Sequence, residues 1–319
     1  MTPPPRRPTG PRTVRAAVRA AAAVLTALAA VAAVDMWGVA QARGGPQEPL
    51  LRGPARLAQA REEIRTECMR RRGFRYVPYL SAYVTPIRRD AEEARARDAG
   101  EYPAMRRFRE KYGFGVFALY AYPREFGNPE VETDAPVNPN NKITMSLSRT
   151  QLAAYWKAGD ACYSQAVKMT TGKDVTSFAD HMSRAEERVD RLVARELDGD
   201  RRLAALGADM ARCLRRKGYP VRSATPSALA RRGPEVFHAE EKALGRAMAR
   251  PAIEAGDLPD HDYAPSLTPA DATPYLTREI RAALDDLECG RRFYRAYEPG
   301  HTAIVRRGYV EYGLDEWLW

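Results

Sequence analysis

Apolar residues recur at helical spacing along successive stretches of the chain. Leu57, Ala60, Ile64 and Cys68 form one stripe, and Leu152, Tyr155, Trp156, Gly159, Cys162, Tyr163 and Ala166 form another. Val189, Leu192, Val193 and Leu197 follow, then Leu203, Leu206, Met210, Cys213 and Leu214. Ala239, Leu244 and Ala247 make a sparser stripe, and Ile280, Leu284 and Leu287 the last. Spacings of three and four put each set on one face of a helix. They predict helices over 55–72, from Ser177 to Lys217 with a break at Asp198-Gly199-Asp200, over 235–250 and over 277–297. Ser148 and Gln151 predict a capping box in front of the helix that carries Cys162. Asp90 to Ala99 reads as a charged helix-like patch, and Lys111 to Phe117 as a short strand or turn edge. Asn128–Asn141, Pro220–Pro226 and Pro251–Pro274 read as loop from their Pro, Asn and Asp content. Gly300–Trp319 reads as an aromatic-rich turn or helix. The fold expected is mainly α, with little sheet.

The chain also echoes itself. Cys68-Met69-Arg70-Arg71-Arg72-Gly73-Phe74 matches Cys213-Leu214-Arg215-Arg216-Lys217-Gly218-Tyr219. Cations in a last turn face the negative end of the helix dipole. A glycine then takes the left-handed position, and an aromatic folds back onto the turn. Each copy is followed by one more cysteine, Cys162 after the first and Cys289 after the second, with Cys289 lying off its helix's main stripe, nearer Ala282 and Phe293. Four cysteines allow three pairings. The order of the repeat favours Cys68–Cys162 and Cys213–Cys289, bracing two helical lobes over 55–175 and 176–319, with an aromatic-rich, partly irregular insertion in the first.

The N-terminus changes the picture of where these cysteines work. Arg12, Arg15 and Arg19 precede an unbroken run of small and aliphatic residues, Ala20 to Val34, and Ala40-Gln41-Ala42 supplies a small-x-small cleavage site. That order is a secretory signal peptide over 1–42. Left uncut, the stretch would act as a weak single anchor, with Asp35 costly near the membrane centre. A Gly- and Pro-rich tether over 43–54 follows. Export places the cysteines in an oxidising compartment and favours disulfides over zinc, whose ligands need closer spacing.

Composition excludes whole classes. Of 319 residues, 45% are hydrophobic and 29% charged, which excludes wholesale disorder and a multi-span membrane protein. The net charge of +10 is dominated by arginine, with acidic residues spread among the basic clusters. Nucleic-acid binding calls for a concentrated stripe and a motif, so it is disfavoured. Loose contact with anionic lipid or cell-wall polymer is what this charge favours.

The chemistry-bearing motifs are few. The sequence has no nucleophile elbow, phosphate loop, zinc-protease motif or dinucleotide fingerprint, and no cofactor is expected. Asp198-Gly199-Asp200 and Asp257–Asp262 have Asp in turns but lack the spacing of an EF-hand. Asp285, Asp286 and Glu288 raise a paired-carboxylate hydrolase as the alternative, with Asp286 or Glu288 as its acid. Twelve of the 28 aromatics fall between Phe74 and Phe126. Rings of this kind fill a core or line a sugar or peptide groove, and Tyr76, Tyr79 and Tyr83 are the candidate binding residues, since they cannot all be buried on one strand face.

Cys68-Met69-x-x-x-Gly73-Phe74-x-Tyr76-x-Pro78, Asn138-Pro139-Asn140, Ser146-Leu147-Ser148, Ala154-Tyr155, Ala161-Cys162 and Cys213-Leu214-x-x-x-Gly218-Tyr219 occur in that order. The set resembles uncharacterised exported actinobacterial proteins with repeated Cys-Met/Leu-x-x-x-Gly-Phe/Tyr motifs. Gly159-Asp160 departs from the hydrophobic-Gly pair that the pattern has there. The resemblance implies a secreted or membrane-anchored protein, in some cases beside envelope-spanning exporters, and carries over no catalytic residue. The function expected is therefore a non-enzymatic binding or accessory module of the cell envelope, its partner a cell-wall polymer or a membrane protein complex.

Overall fold

The computed structural model describes residues 54–80, 91–126, 138–256 and 261–314. The leader, nearly all of the tether, and Tyr83 lie outside them. The described residues form one compact unit. Every regular element among the described residues is an α-helix. The order is α1 (Pro54–Arg71), α2 (Ala91–Asp98), α3 (Tyr102–Tyr112), α4 (Ala118–Ala121), α5 (Asn140–Met145), α6 (Arg149–Thr171), α7 (Phe178–Glu196), α8 (Arg201–Arg216), α9 (Pro226–Glu254) and α10 (Pro269–Glu311).

The last helix is the spine. It is 43 residues long, and α2, α3, α4, α7, α8 and α9 all pack against it. α1 packs on α6, which also meets α7. The division of the packing therefore does not follow the division of the sequence at 175/176: the aromatic-rich segment that follows α1 in the chain docks on α10. Met210, Leu214, Leu229, Leu287, Phe293 and Tyr297 fill the main core. Val116, Phe117 and Tyr120 form a second cluster with Phe237, Ala272 and Leu276.

The helix ends follow the local chemistry. Ser148 and Gln151 make the capping box at α6, Ser177 caps α7, and Asp200 accepts from the N–H groups of Arg202 and Leu203 at the start of α8. The two copies of the echoed motif end α1 and α8 in the same way. Phe74 N–H donates to Met69 O and Gly73 N–H to Arg70 O; Tyr219 N–H donates to Leu214 O and Gly218 N–H to Arg215 O, each at 3.0 Å. Those are Schellman motifs, and they need the φ values of +80° and +87° that Gly73 and Gly218 supply without steric cost.

Both disulfides join helices. Cys68 on α1 bonds Cys162 on α6, and Cys213 on α8 bonds Cys289 on α10, each with a Cα–Cα distance of 5.5 Å. The first is buried among Met69, Tyr155 and Ala158. The second is half-buried, at the edge of the α8–α10 contact. The offset of Cys289 from its stripe has its counterpart in Cys213, which also lies beside the buried face of Leu203, Met210, Ala211 and Leu214. Next to it, Gly290 has no side chain to hold Met210 away; a Cβ there would meet the Met210 sulfur at 2.9 Å.

Three segments differ from the sequence reading. Lys111–Phe117, read as a short strand or turn edge, is the end of α3 followed by an irregular turn, and the strand alternative fails because a buried carboxylate, described below, takes the backbone N–H groups a strand partner would take. α9 starts at Pro226, not at 235. α10 runs from Pro269 to Glu311, absorbing part of the expected loop and most of the C-terminal stretch. Pro226 and Pro269 occupy first-turn positions, where a missing N–H costs nothing. Thr268 and Asp271 add a capping box. Pro234, Pro251, Pro274 and Pro299 lie inside these two helices, Pro234 half-buried and the other three exposed.

Candidate functional site

Two acids lie on the buried face of α10, two turns apart. Glu279 has no exposed surface. Its carboxylate accepts from the backbone N–H groups of Phe114 at 2.8 Å, Val116 at 2.9 Å and Phe117 at 2.8 Å. Burial pushes its carboxyl above the usual range, and these N–H groups pull the other way. The contact fixes the turn between α3 and α4 to the spine.

Asp286 also has no exposed surface. It accepts from Arg109 Nη1 at 2.8 Å, from Arg232 Nη2 at 3.0 Å and from the Tyr294 hydroxyl. Arg109 donates a second bond to the Ala283 carbonyl at 2.8 Å, and its guanidinium lies 4.7 Å from the Tyr294 ring centre and 5.3 Å from that of Phe114. Burial, with the Asp286 charge behind it, drives the Tyr294 phenol far upward, so the hydroxyl stays a donor. Three helices thus converge here: α3 supplies Arg109, α9 Arg232, and α10 both Asp286 and Tyr294.

Beside this cluster, a cavity of about 290 Å³ opens between α2, α3, α9 and α10. Met105, Phe108 and Phe114 form its apolar wall, Arg97 and Arg109 its cationic edge, and Asp98 and Glu298 bring carboxylates. Such a volume suits a small ligand. Both cations have work already. Arg97 lies over the Phe108 ring at 4.0 Å, and Arg109 is bound to Asp286. Glu298 makes no hydrogen bond or ion pair among the described residues. Burial pushes its carboxyl up to about 7, with the Arg109 charge opposing and the Asp98 charge adding.

The residues singled out in the sequence fall elsewhere. Tyr76 and Tyr79 converge on Glu62 of α1: the Tyr76 hydroxyl donates to its Oε2 at 2.6 Å and the Tyr79 backbone N–H to the same oxygen at 3.3 Å. The Arg65 guanidinium covers the Tyr76 ring at 4.8 Å. Asn140 straps the same segment by exchanging bonds with the Val77 backbone at 2.9 and 2.7 Å. These tyrosines hold an extended segment on the α1–α6 pair, and Tyr83 lies outside the described residues. Asp285 and Glu288 both accept from Lys217 at the end of α8, at 2.7 and 2.6 Å. Asp285 also accepts from the Tyr219 hydroxyl at 2.7 Å.

The aspartates of the 198–200 break act as caps, Asp200 on α8 and Asp198 on the Ser227 N–H of α9 at 2.8 Å. Among the described residues, no group of three or more His, Cys, Asp or Glu is arranged to hold a metal ion. No helix among them is long and apolar enough to cross a membrane. His181 is buried, bonded to the Tyr163 hydroxyl and the Tyr312 carbonyl at 2.9 Å each, and burial lowers its pKa to about 4. Nδ1 then accepts from Tyr163, and Nε2–H donates to Tyr312.

Arg109, Arg232, Glu279 and Glu298 were not candidates in the sequence. One signal was there: Glu279 and Asp286 sit in the stripe Ala272, Leu276, Glu279, Ala283, Asp286, Gly290 and Phe293, so two acids seven residues apart share an apolar face.

No protein-family model matches the chain, and no curated protein or solved structure is similar to it.

Proposed function

We propose that this is an exported cell-envelope protein that works as a non-enzymatic binding or accessory module, with a cell-wall polymer or a membrane protein complex such as an envelope exporter as its partner. The leader supports export. Two disulfides are compatible with an oxidising, extracytoplasmic location. The observation that carries the binding half is the cavity beside Arg109 and Glu298, whose polar wall leaves carboxylates unmatched.

Hydrolysis through the acids offered by the sequence has less support. Asp286 is closed off and held by three donors, and Glu288 is an exposed partner of Lys217. A general acid must reach the atom it protonates.

Fractionation of the host followed by cross-linking tests the reading. The expected result is a chain lacking its leader, outside the cytoplasm, cross-linked to wall polymer or to a membrane complex. Cytosolic recovery, or turnover of cell-wall polymer by the oxidised protein, would overturn it.

A further inference from the structure

We infer that the cavity between α2, α3, α9 and α10 binds a primary ammonium group on a short apolar or aromatic stem, with Glu298 as the anion that receives it. This deepens the binding-module reading and rests on it.

The sign of the ligand follows from which wall groups are already satisfied. Arg109 is spent on Asp286 and the Ala283 carbonyl. Arg97 is stacked on Phe108. An anion entering here would meet Asp98 and Glu298, neither of which has an ion-pair partner among the described residues. A third acceptor is built into the backbone. Pro234 has no N–H, so the Ala230 carbonyl four residues earlier lacks its helical donor, and both residues line the cavity. The two carboxylates without an ion-pair partner and the Ala230 carbonyl are acceptors, and a protonated amine offers three donors and a positive charge. Met105, Phe108 and Phe114 would cover its stem.

Burial holds the Glu298 carboxyl near the protonated form, at about 7, and an ammonium ligand stabilises the carboxylate instead. Binding must therefore strengthen as pH rises. Arg97 and Asp98 on α2, Arg109 on α3 and Tyr294 on α10 line the cavity with Glu298, Tyr297 feels its charge from the preceding position, and His301 follows one turn on. On α9, Arg232 is committed to Asp286 and Arg231 to Glu235. Only His301 among them has an ordinary value of 6.5 inside the range from pH 5.5 to 8, and burial lowers it.

Titration calorimetry of the full oxidised protein with benzylammonium, benzyl alcohol and benzoate tests this. Benzylammonium is expected to bind at pH 8, at least about tenfold more weakly at pH 5.5, and at least about tenfold more weakly to Glu298→Gln. Benzoate is expected not to bind. At pH 7 the heat should vary with buffer ionisation enthalpy, because binding expels part of a proton. Pro234→Ala restores a helical donor to Ala230 and is expected to weaken binding severalfold without lowering the melting temperature.

Benzoate binding as tightly as benzylammonium, or parent-like affinity in folded Glu298→Gln, would overturn the inference. So would pH-independent binding by the parent, which decides the matter even if that variant does not fold. Failure of all three probes, in a chain that still captures wall polymer or a membrane complex, removes this inference alone. Turnover of cell-wall polymer removes the wider reading and leaves ammonium binding to be judged on its own.

Discussion

Arg109 and Asp286 are 177 residues apart in the chain and 2.8 Å apart in the interior. Their contact ties the aromatic-rich segment after α1 to the spine helix. Asp286 is shared with Arg232 and Tyr294, so removing it strands two guanidinium groups away from water. Leaving one side of a buried ion pair uncompensated costs about 3–5 kcal/mol. Asp286→Ala should lose stability in that range in urea denaturation of the oxidised protein. Replacing Asp286 together with Arg109 and Arg232 by apolar residues of similar volume should cost less than the single change. A loss under about 1 kcal/mol for Asp286→Ala would mean that the cluster is not closed to water.

Glu279 makes a prediction at single-residue resolution. Its carboxylate accepts three backbone N–H groups in the turn between α3 and α4. Glu279→Ala removes both acceptor oxygens and leaves the three N–H donors without them. The amides of Phe114, Val116 and Phe117 should be protected from hydrogen exchange in the parent and exchange much faster in the variant, while the main core of α8 and α10 keeps its protection. Equal protection in both proteins would count against this carboxylate as the anchor of the turn.

His181 and Glu298 give opposite pH slopes. His181 has its pKa lowered to about 4 from 6.5, so between those values the unfolded chain takes up a proton that the folded chain refuses. Its contribution to stability is complete above about 6.5 and is lost as pH falls toward 4. His301 is lowered as well and acts in the same direction. Glu298 has its pKa raised to about 7 from 4.5, so the folded chain keeps a proton that the unfolded chain releases. That contribution is complete below about 4.5 and is lost as pH rises to 7. In Glu298→Gln the opposing slope is gone. Its melting temperature should climb more steeply with pH between 4.5 and 6.5 than that of the parent. Parallel curves in calorimetry would refute the assignment.

The two disulfides should differ in reactivity. Cys68 and Cys162 are 3% and 0% exposed, whereas Cys213 and Cys289 are half-buried at a helix edge. Attack by an external thiolate depends on access. Limited reduction of the native protein followed by alkylation should label Cys213 and Cys289 first. Labelling of Cys68 and Cys162 before them would contradict the burial seen here.

Much of this architecture can be read in advance from local chemistry. The stripes fix α1, α6, α7 and α8, and the Gly73 and Gly218 stops fix where α1 and α8 end. Asp200 marks the break between α7 and α8 because a capping side chain needs only its own neighbours. What could not be read depends on partners far along the chain. Pro234, Pro274 and Pro299 look like breaks, yet α9 and α10 run on through them, held by neighbours such as Phe237, Leu276 and Tyr297 in the two cores. Lys111–Phe117 resembles a strand edge until Glu279, far along the chain, supplies its acceptors. Tyr76 reads as a free aromatic because its partner Glu62 carries no motif. The cavity is legible only in three dimensions, since Asp98, Arg109, Pro234 and Glu298 come from four separate helices.

Non-reducing peptide mapping by mass spectrometry, on protein taken from its native host, tests the central claim most directly. The account predicts two linked peptide pairs, Cys68 with Cys162 and Cys213 with Cys289, and no free thiol. Four alkylatable thiols, or Cys68 joined to Cys213, would contradict it.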